Sequence, residues 1–206
     1  MHSFSTDQPR RYYHYMLMGA LAMGALWLGQ AVLGVLGIVS FGGAATIIYT
    51  LFTRFLWRWS WVRKIARVKV PDLRGEWEGY LYTSADSDEI KDELILNEGE
   101  QKDDLTKMEA SVTIEQTWDK VEVTLDGPES QSHSEGATIT VNEKAWPTIT
   151  YNYLNEGTAT NGDLNMHYGT TSLEYDEDAN KLEGPYYNRP DQRDSQGYLE
   201  LYRKDE

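Results

Sequence analysis

Residues 16–40 read MLMGALAMGALWLGQAVLGVLGIVS, residues 41–45 FGGAA, and residues 46–61 TIIYTLFTRFLWRWSW. Tyr15 opens this stretch, and its only charged residues, Arg54 and Arg58, fall near its end. A soluble helix needs one apolar stripe, whereas a membrane span is apolar on every side. About 20 residues rising ~1.5 Å each cross a hydrocarbon core ~30 Å thick. The stretch has the length for two spans. It predicts a helical hairpin: Tyr15 to Val39 crossing, a tight turn at Ser40 to Gly43, and Ala44 to Trp61 returning.

The flanks predict its orientation. Arg10 and Arg11 precede the first span, and Arg54, Arg58, Arg63, Lys64, Arg67 and Lys69 lie at or beyond the end of the second. The turn has no Lys or Arg. Basic residues stay on the cytoplasmic side, so both termini are expected there, in a multi-pass protein of the cell membrane. Tyr12, Tyr13, Tyr15, Trp57, Trp59 and Trp61 fit an aromatic belt at the same level. The competing reading is a cleaved leader starting at Arg10-Arg11. The first apolar run is too long for one, and a second follows at once. Ala20 with Gly24, and Ala25 with Gly29, place small residues four apart, a spacing that allows close helix contact and a homo-oligomer in lipid; the competing reading is that small residues are simply common in spans.

Charge divides the chain in the same place. Of 206 residues, none is cysteine, which removes disulfides and thiolate metal sites. The formal net charge is −14, yet residues 1–69 carry eight Lys or Arg and one acid, Asp7. The remainder holds 11 basic and 32 acidic residues, a net −21. The basic end suits anionic lipid headgroups. The acidic remainder excludes a general binder of nucleic-acid polymers, which needs a basic surface. Many acids, few Lys and abundant Thr, Ser and Gly fit a salt-rich cytoplasm, as in halophilic archaea. There a Debye length of ~3 Å near 1 M salt mutes self-repulsion. A plain solubility coat is the competing reading.

Four segments follow: a cytoplasmic lead over 1–14, two transmembrane helices over 15–61, a basic linker over 62–71, and a cytoplasmic β-barrel domain over 72–206. Pro71-Asp72 ends the helical region, because the residue before proline avoids the α conformation. Beyond it the sequence alternates in short runs. Glu76–Thr83, Glu109–Trp118, Val121–Leu125, Ala137–Lys144, Thr148–Leu154, Asp163–Tyr168, Thr171–Tyr175, Lys181–Tyr187 and Gly197–Arg203 read as strands. Gly127 to Gly136 reads as a Ser-rich loop, and Asp86 to Asp104 as an acidic patch. The fold class expected is a membrane-anchored all-β protein: a two-helix transmembrane hairpin followed by a small antiparallel β-barrel of about eight strands. Pairing of the first strand with the last would remove both edges. A barrel of about eight strands has room for one small ligand at its mouth.

No nucleotide-binding glycine loop, no GxSxG and no HExxH occurs in the sequence. His2, His14, His133 and His167 lack metal-ligand spacing, so no metal site and no enzyme activity are expected. Basic residues of the acidic part are informative because they are few. Arg189 and Arg193 lie in a loop after Tyr186-Tyr187; a guanidinium fork suits phosphate, and tyrosine rings suit bases. The alternative is pairing of these arginines with Asp191 and Asp194. Gln116 and Trp118 end an inward row, and Ser130, Ser132, His133 and Ser134 form a hydroxyl-rich loop. Tyr151 and Tyr153 share a strand face, and His167 lies close to Gly169 and Thr170. Burial in the barrel core is the competing role for Trp118, Tyr151 and Tyr153.

The ordered set resembles a known family. Two spans and a basic linker precede Pro71-Asp72-Leu73, Gly75, Trp77 and Gly79. Ile114-Glu115-Gln116-Thr117-Trp118, Ser130, Ser132, Ser134, Tyr151, Tyr153, His167 and Gly169 come next. Leu182, Gly184, Tyr186-Tyr187-Asn188, Arg189, Arg193, Gly197, Leu199, Leu201 and Arg203 close the set. Over nearly the whole chain this resembles the CD-NTase-associated two-transmembrane β-barrel effectors of CBASS-type antiphage defence. The resemblance implies no cofactor but a ligand, a cyclic dinucleotide or related cyclic oligonucleotide made by a partner nucleotidyltransferase or cyclase. It implies that binding controls oligomerisation of the hairpin and disruption of the membrane. In a related system the nucleotide instead holds the effector inactive, so both signs of control stay open. The acidity and the acidic patch depart from the usual pattern. The ligand-binding residues expected are Arg189, Arg193, Tyr187, Tyr151, Tyr153, Trp118, Ser132, Ser134, His167 and Thr170. The alternative function is a membrane-anchored, non-enzymatic adaptor whose acidic barrel binds a protein partner or divalent ions.

Overall fold

The structure is a computed structural model that describes residues 1–3, 11–33, 41–84, 105–127, 130–142, 145–157, 166–189 and 195–204. It divides into two units. One holds Met1–Phe4, Pro71–Gln116 and Lys120–Glu206; the other holds Ser5–Val70 with Thr117–Asp119. Among the expected elements, the acidic patch from Asp86 to Asp104 and Arg193 lie outside the described residues.

The first unit is an antiparallel barrel. After a short β1 (His2–Ser3) come β2 (Gly75–Thr83), β3 (Thr106–Gln116), β4 (Lys120–Asp126), β5 (Gln131–Thr140), β6 (Thr148–Asn155), β7 (His167–Asp176), β8 (Lys181–Asn188) and β9 (Gln196–Arg203). The order β4-β3-β2-β9-β8-β7-β6-β5 closes where β4 pairs with β5, and β1 flanks β4. The expected pairing of first and last barrel strands is present, from Trp77 opposite Arg203 to Thr83 opposite Gly197. Two expectations are corrected. The Ser-rich loop is largely β5, and His167 and Tyr168, from the run expected at 163–168, join the run at 171–175 in one strand, β7, while residues 163–165 lie outside the described residues. Burial along β7 explains the latter: His167, Gly169, Thr171, Leu173 and Tyr175 are buried and the residues between them are not, the period of two that a pleated strand imposes.

One end of the interior is apolar and full. Leu73, Trp77, Val112, Ile139, Ile149, Leu173, Leu182, Leu199 and Leu201 are at most 1% exposed. The chain entering the barrel caps this end. The Leu73 N–H donates to Gln116 Oε1 at 2.8 Å, and Gln116 Nε2 donates to the Pro71 carbonyl at 2.9 Å. Trp77 Nε1 donates to the Leu73 carbonyl at 2.9 Å, and Arg203 Nη2 to the Asp72 carbonyl at 2.6 Å. The Arg203 guanidinium also lies 4.6 Å from the Trp77 ring centre. Gln116 thus serves to hold backbone. Burial pushes the Asp72 carboxyl up, but the Arg74 hydrogen bonds and charge, with Arg203 beyond, leave it below the usual carboxylate range.

The second unit contains α1 (Arg11–Leu33), α2 (Phe41–Arg54), a 3-10 turn over Leu56–Arg58, and α3 (Ser60–Ala66). His14, Met18 and Ala22 of α1 are buried at a spacing of four, a single stripe. Met16, Leu21, Met23, Trp27 and Leu28 of α1 and Ile47 and Leu51 of α2 are exposed. The helices differ from the two spans expected over 15–61. Among the described residues no helix is long and apolar enough to cross a membrane. The first turn of α1 is Arg11, Tyr12, Tyr13 and His14. α2 has 14 residues, ~21 Å at ~1.5 Å each, short of a ~30 Å core. Of the tight turn expected at Ser40 to Gly43, Gly42 and Gly43 are helical and Ser40 lies outside the described residues. The linker expected over 62–71 begins inside α3, whose end is closed by Arg67 in the left-handed conformation at φ 54°. Arg63 there faces the fully buried Trp57 at 5.7 Å and donates to the Val70 carbonyl at 2.8 Å.

Candidate ligand-binding site

The other end of the barrel interior is polar. The strands that carry Leu and Ile at the capped end carry hydroxyls, amides, an imidazole and tyrosines here. Thr83, Thr106, Ser132, Ser134, Asn155, His167, Thr171 and Ser195 are each under 9% exposed, and Tyr151, Tyr153 and Tyr186 are buried with them. Alternation delivers the set. Tyr151, Tyr153 and Asn155 follow Ile149 on β6, and Ser132 and Ser134 precede the inner residues of β5.

Hydrogen bonds fix part of this cluster. Asn155 Nδ2 donates to Ser132 Oγ at 2.9 Å and to Ser130 Oγ at 3.0 Å. The Tyr153 hydroxyl donates to Asn188 Oδ1 at 2.7 Å, and Asn188 Nδ2 donates to Ser195 Oγ at 2.6 Å. Ser134 Oγ accepts from the Val123 N–H at 3.0 Å. The Tyr151 and Tyr153 rings are 6.2 Å apart. Tyr153 lies over Gly169, where any Cβ would overlap its ring, so β7 needs glycine there to admit the tyrosine.

Tyr151 differs from its neighbours. Its hydroxyl is buried without a hydrogen-bond partner among the described residues. Burial pushes its pKa up to about 12, tempered by Thr171, which lies near without the geometry of a hydrogen bond. The hydroxyl is therefore neutral at any physiological pH. A buried donor of this kind has its hydrogen-bonding capacity unused at the polar end.

The structure brings Ser132, Ser134, Tyr151, Tyr153 and His167 together at this end. Three expected site residues stand elsewhere. Trp118 belongs to the helical unit, buried against His14 at 5.0 Å and Phe52 at 5.3 Å between ring centres, with its backbone N–H on the Thr53 carbonyl at 2.9 Å. Thr170 points outward and donates to Asn152 Oδ1 at 2.9 Å, because the inward residue of that pair is Thr171. Tyr187 is 54% exposed, because Tyr186 takes the inward position on β8. Arg189 is exposed just beyond the polar end of β8, its N–H on the Tyr168 carbonyl at 2.8 Å. His133 lies on the opposite face of β5 from Ser132, 3.5 Å from both Glu135 and Glu156.

Asn155, Thr171, Asn188 and Ser195 were missed by sequence reasoning. Counting in twos from Ile149 finds Asn155, and from Leu173 finds Thr171, so a signal existed for both. Asn188 and Ser195 flank residues 189–194, and only the antiparallel return of β9 beside β8 joins them. No group of side chains among the described residues has the makings of a metal centre.

Comparison with known proteins agrees with this geometry. The chain is 30% identical over 154 residues to CD-NTase-associated protein 15 of Yersinia aleksiciae, an alignment that covers 75% of this chain and 65% of that protein. The match thus spans a little under two thirds of the relative's length. The family described as Cap15, cyclic dinucleotide receptor domain, matches residues 68–203, which include every barrel strand from β2 to β9. This chain therefore belongs to the Cap15 cyclic dinucleotide receptor domain family.

Proposed function

We propose that the polar end of the barrel binds a cyclic dinucleotide, and that the protein is a non-catalytic membrane effector of antiphage defence. The observation that carries the reading is the gathering of buried Ser and Thr hydroxyls, Asn155, His167 and the paired rings of Tyr151 and Tyr153 at one end of a barrel whose other end is filled by Leu, Ile and Trp. Neutral donors and acceptors suit base edges and ribose hydroxyls, and the rings of Tyr151 and Tyr153 offer stacking surfaces. Phosphates need local positive charge inside a domain of net −21. Arg189 beside the polar end supplies it, and Arg193 joins it in the same segment of sequence.

In this reading the messenger comes from a partner nucleotidyltransferase. Its binding is linked to self-association of the helical unit in the cell membrane, with both termini cytoplasmic, and to membrane disruption. Exposed Met16, Leu21, Met23, Trp27, Leu28, Ile47 and Leu51 support a lipid environment, since large apolar side chains exposed together are costly in water. The ligand shifts assembly only if it binds one assembly state more tightly than the other. The acidic surface suits a salt-rich cytoplasm, in which distant carboxylates are screened from the phosphates.

The test is calorimetry of the full chain in detergent micelles with cyclic di-AMP, cyclic di-GMP and cyclic GMP–AMP, at low and at molar salt. At least one should bind, more tightly at molar salt, and Arg189→Ala should weaken it about tenfold. Absence of heat with all three, at both salts, would overturn the assignment. Dye release from vesicles carrying the protein, with and without the bound nucleotide, reports the sign of control.

A further inference from the structure

We propose that the junction of β4 with β5 is a strand-acceptor site, and that its occupant in the assembled protein is β1 of a second copy of this chain. The inference rests on the self-association in the proposed function.

This junction is the weakest in the barrel wall. β4 and β5 pair at three positions, Thr124 with His133, Leu125 with Ser132, and Asp126 with Gln131. Every other neighbouring pair of barrel strands shares at least six. The cause lies in β5. Its register against β6 slips between Ser134 and Gly136, a bulge that falls just past His133, the last residue of β5 paired with β4. At the slip the Val123 N–H bonds a side chain, Ser134 Oγ, in place of a backbone carbonyl. Among the described residues, β5 beyond it has backbone pairs with β6 and none with β4, and Lys120 and Val121 of β4 face an opening on that side.

The opening accepts a strand, because one occupies it. β1 pairs antiparallel with β4, His2 opposite Val121 and Ser3 opposite Lys120, and lies alongside β5 as well. The Met1 amine pairs with the Glu122 carboxylate. An unfilled strand edge captures extended chain through backbone bonds, so any segment that fits from one copy fits from another. β1 has two paired positions, few enough to release. Exchange between copies breaks and remakes the same bonds, so local concentration decides which β1 fills the opening. Confinement of copies to one membrane raises that concentration.

Cross-linking decides the matter, and the absence of native cysteine keeps it clean. In full-length protein in detergent micelles, the double variant Ser3→Cys/Lys120→Cys should link within one chain at low concentration with a short bismaleimide. Separately tagged Ser3→Cys and Lys120→Cys proteins are then mixed at rising concentration, with sedimentation reporting assembly. Links between differently tagged chains should appear as assembly does, severalfold above a control that pairs Ser3→Cys with Glu174→Cys on β7. Assembly without such links, or with links no stronger than the control, overturns the strand exchange and leaves the proposed function standing. Failure of the double variant to link also overturns it. Absence of assembly at any concentration, with any of the three cyclic dinucleotides present, overturns the self-association itself.

Discussion

The two ends of the barrel interior are made by the same strands and have opposite chemistry. On β6, Ile149 lies at one end and Asn155 at the other; on β7, Leu173 at one and His167 at the other. On β9, Leu201 contrasts with Ser195 just before the strand. Where the capped end gains its stability from apolar area removed from water, the polar end must satisfy every buried group or leave it wanting. Tyr151 is left wanting. A wall that alternates correctly therefore does two jobs along its length: one half holds the barrel shut, and the other lines the interior with neutral polar atoms.

Mutations should separate the halves. The largest effect is expected from Trp77→Ala, which removes a fully buried ring, its bond to the Leu73 carbonyl and the platform under Arg203. Thermal or denaturant melts should show a loss of about 3–5 kcal/mol. A loss below about 1 kcal/mol would mean that the capped end is not the stabilising half. Next in size is Asn188→Ala, which leaves the Tyr153 hydroxyl and Ser195 without their partner. Melts should fall by about 1–3 kcal/mol, and nucleotide affinity by about tenfold or more. Unchanged affinity would move the ligand away from β8. The smallest effect is expected from Tyr151→Phe. Its hydroxyl has no partner to lose, so stability should hold or rise by up to about 1 kcal/mol while nucleotide binding weakens. A clear loss of stability would show that the hydroxyl is satisfied in the free protein.

How much of this was legible in the sequence follows the same division. The pairing of β2 with β9 was legible because Gly75, Trp77 and Gly79 alternate at one end of the domain and Leu199, Leu201 and Arg203 at the other. The β3–β4 hairpin was legible for a similar reason: Val112, Ile114, Val121 and Val123 alternate on both sides of Asp119-Lys120. β5 was not, because its inner residues at the polar end, Ser132 and Ser134, are as hydrophilic as its outer ones, and hydrophobic periodicity vanishes where the interior is polar. The same polarity split β7 at Gly169-Thr170. Trp118 deceived in the opposite sense: it continues the alternation of β3 by type, yet the strand ends at Gln116, and the indole packs with His14 and Phe52. Bulk and hydrophobicity foretell burial, not the unit in which it occurs.

The bulge in β5 has one more consequence. A backbone carbonyl is held by its neighbours in the chain, whereas the serine hydroxyl at position 134 turns about a single bond and can follow the Val123 N–H as it moves. Beyond its three backbone pairs the seam between β4 and β5 therefore closes through a side chain and not through a ladder of backbone bonds. A hydroxyl that rotates keeps its bond through small changes in the spacing of the two strands, a tolerance that paired backbone groups lack.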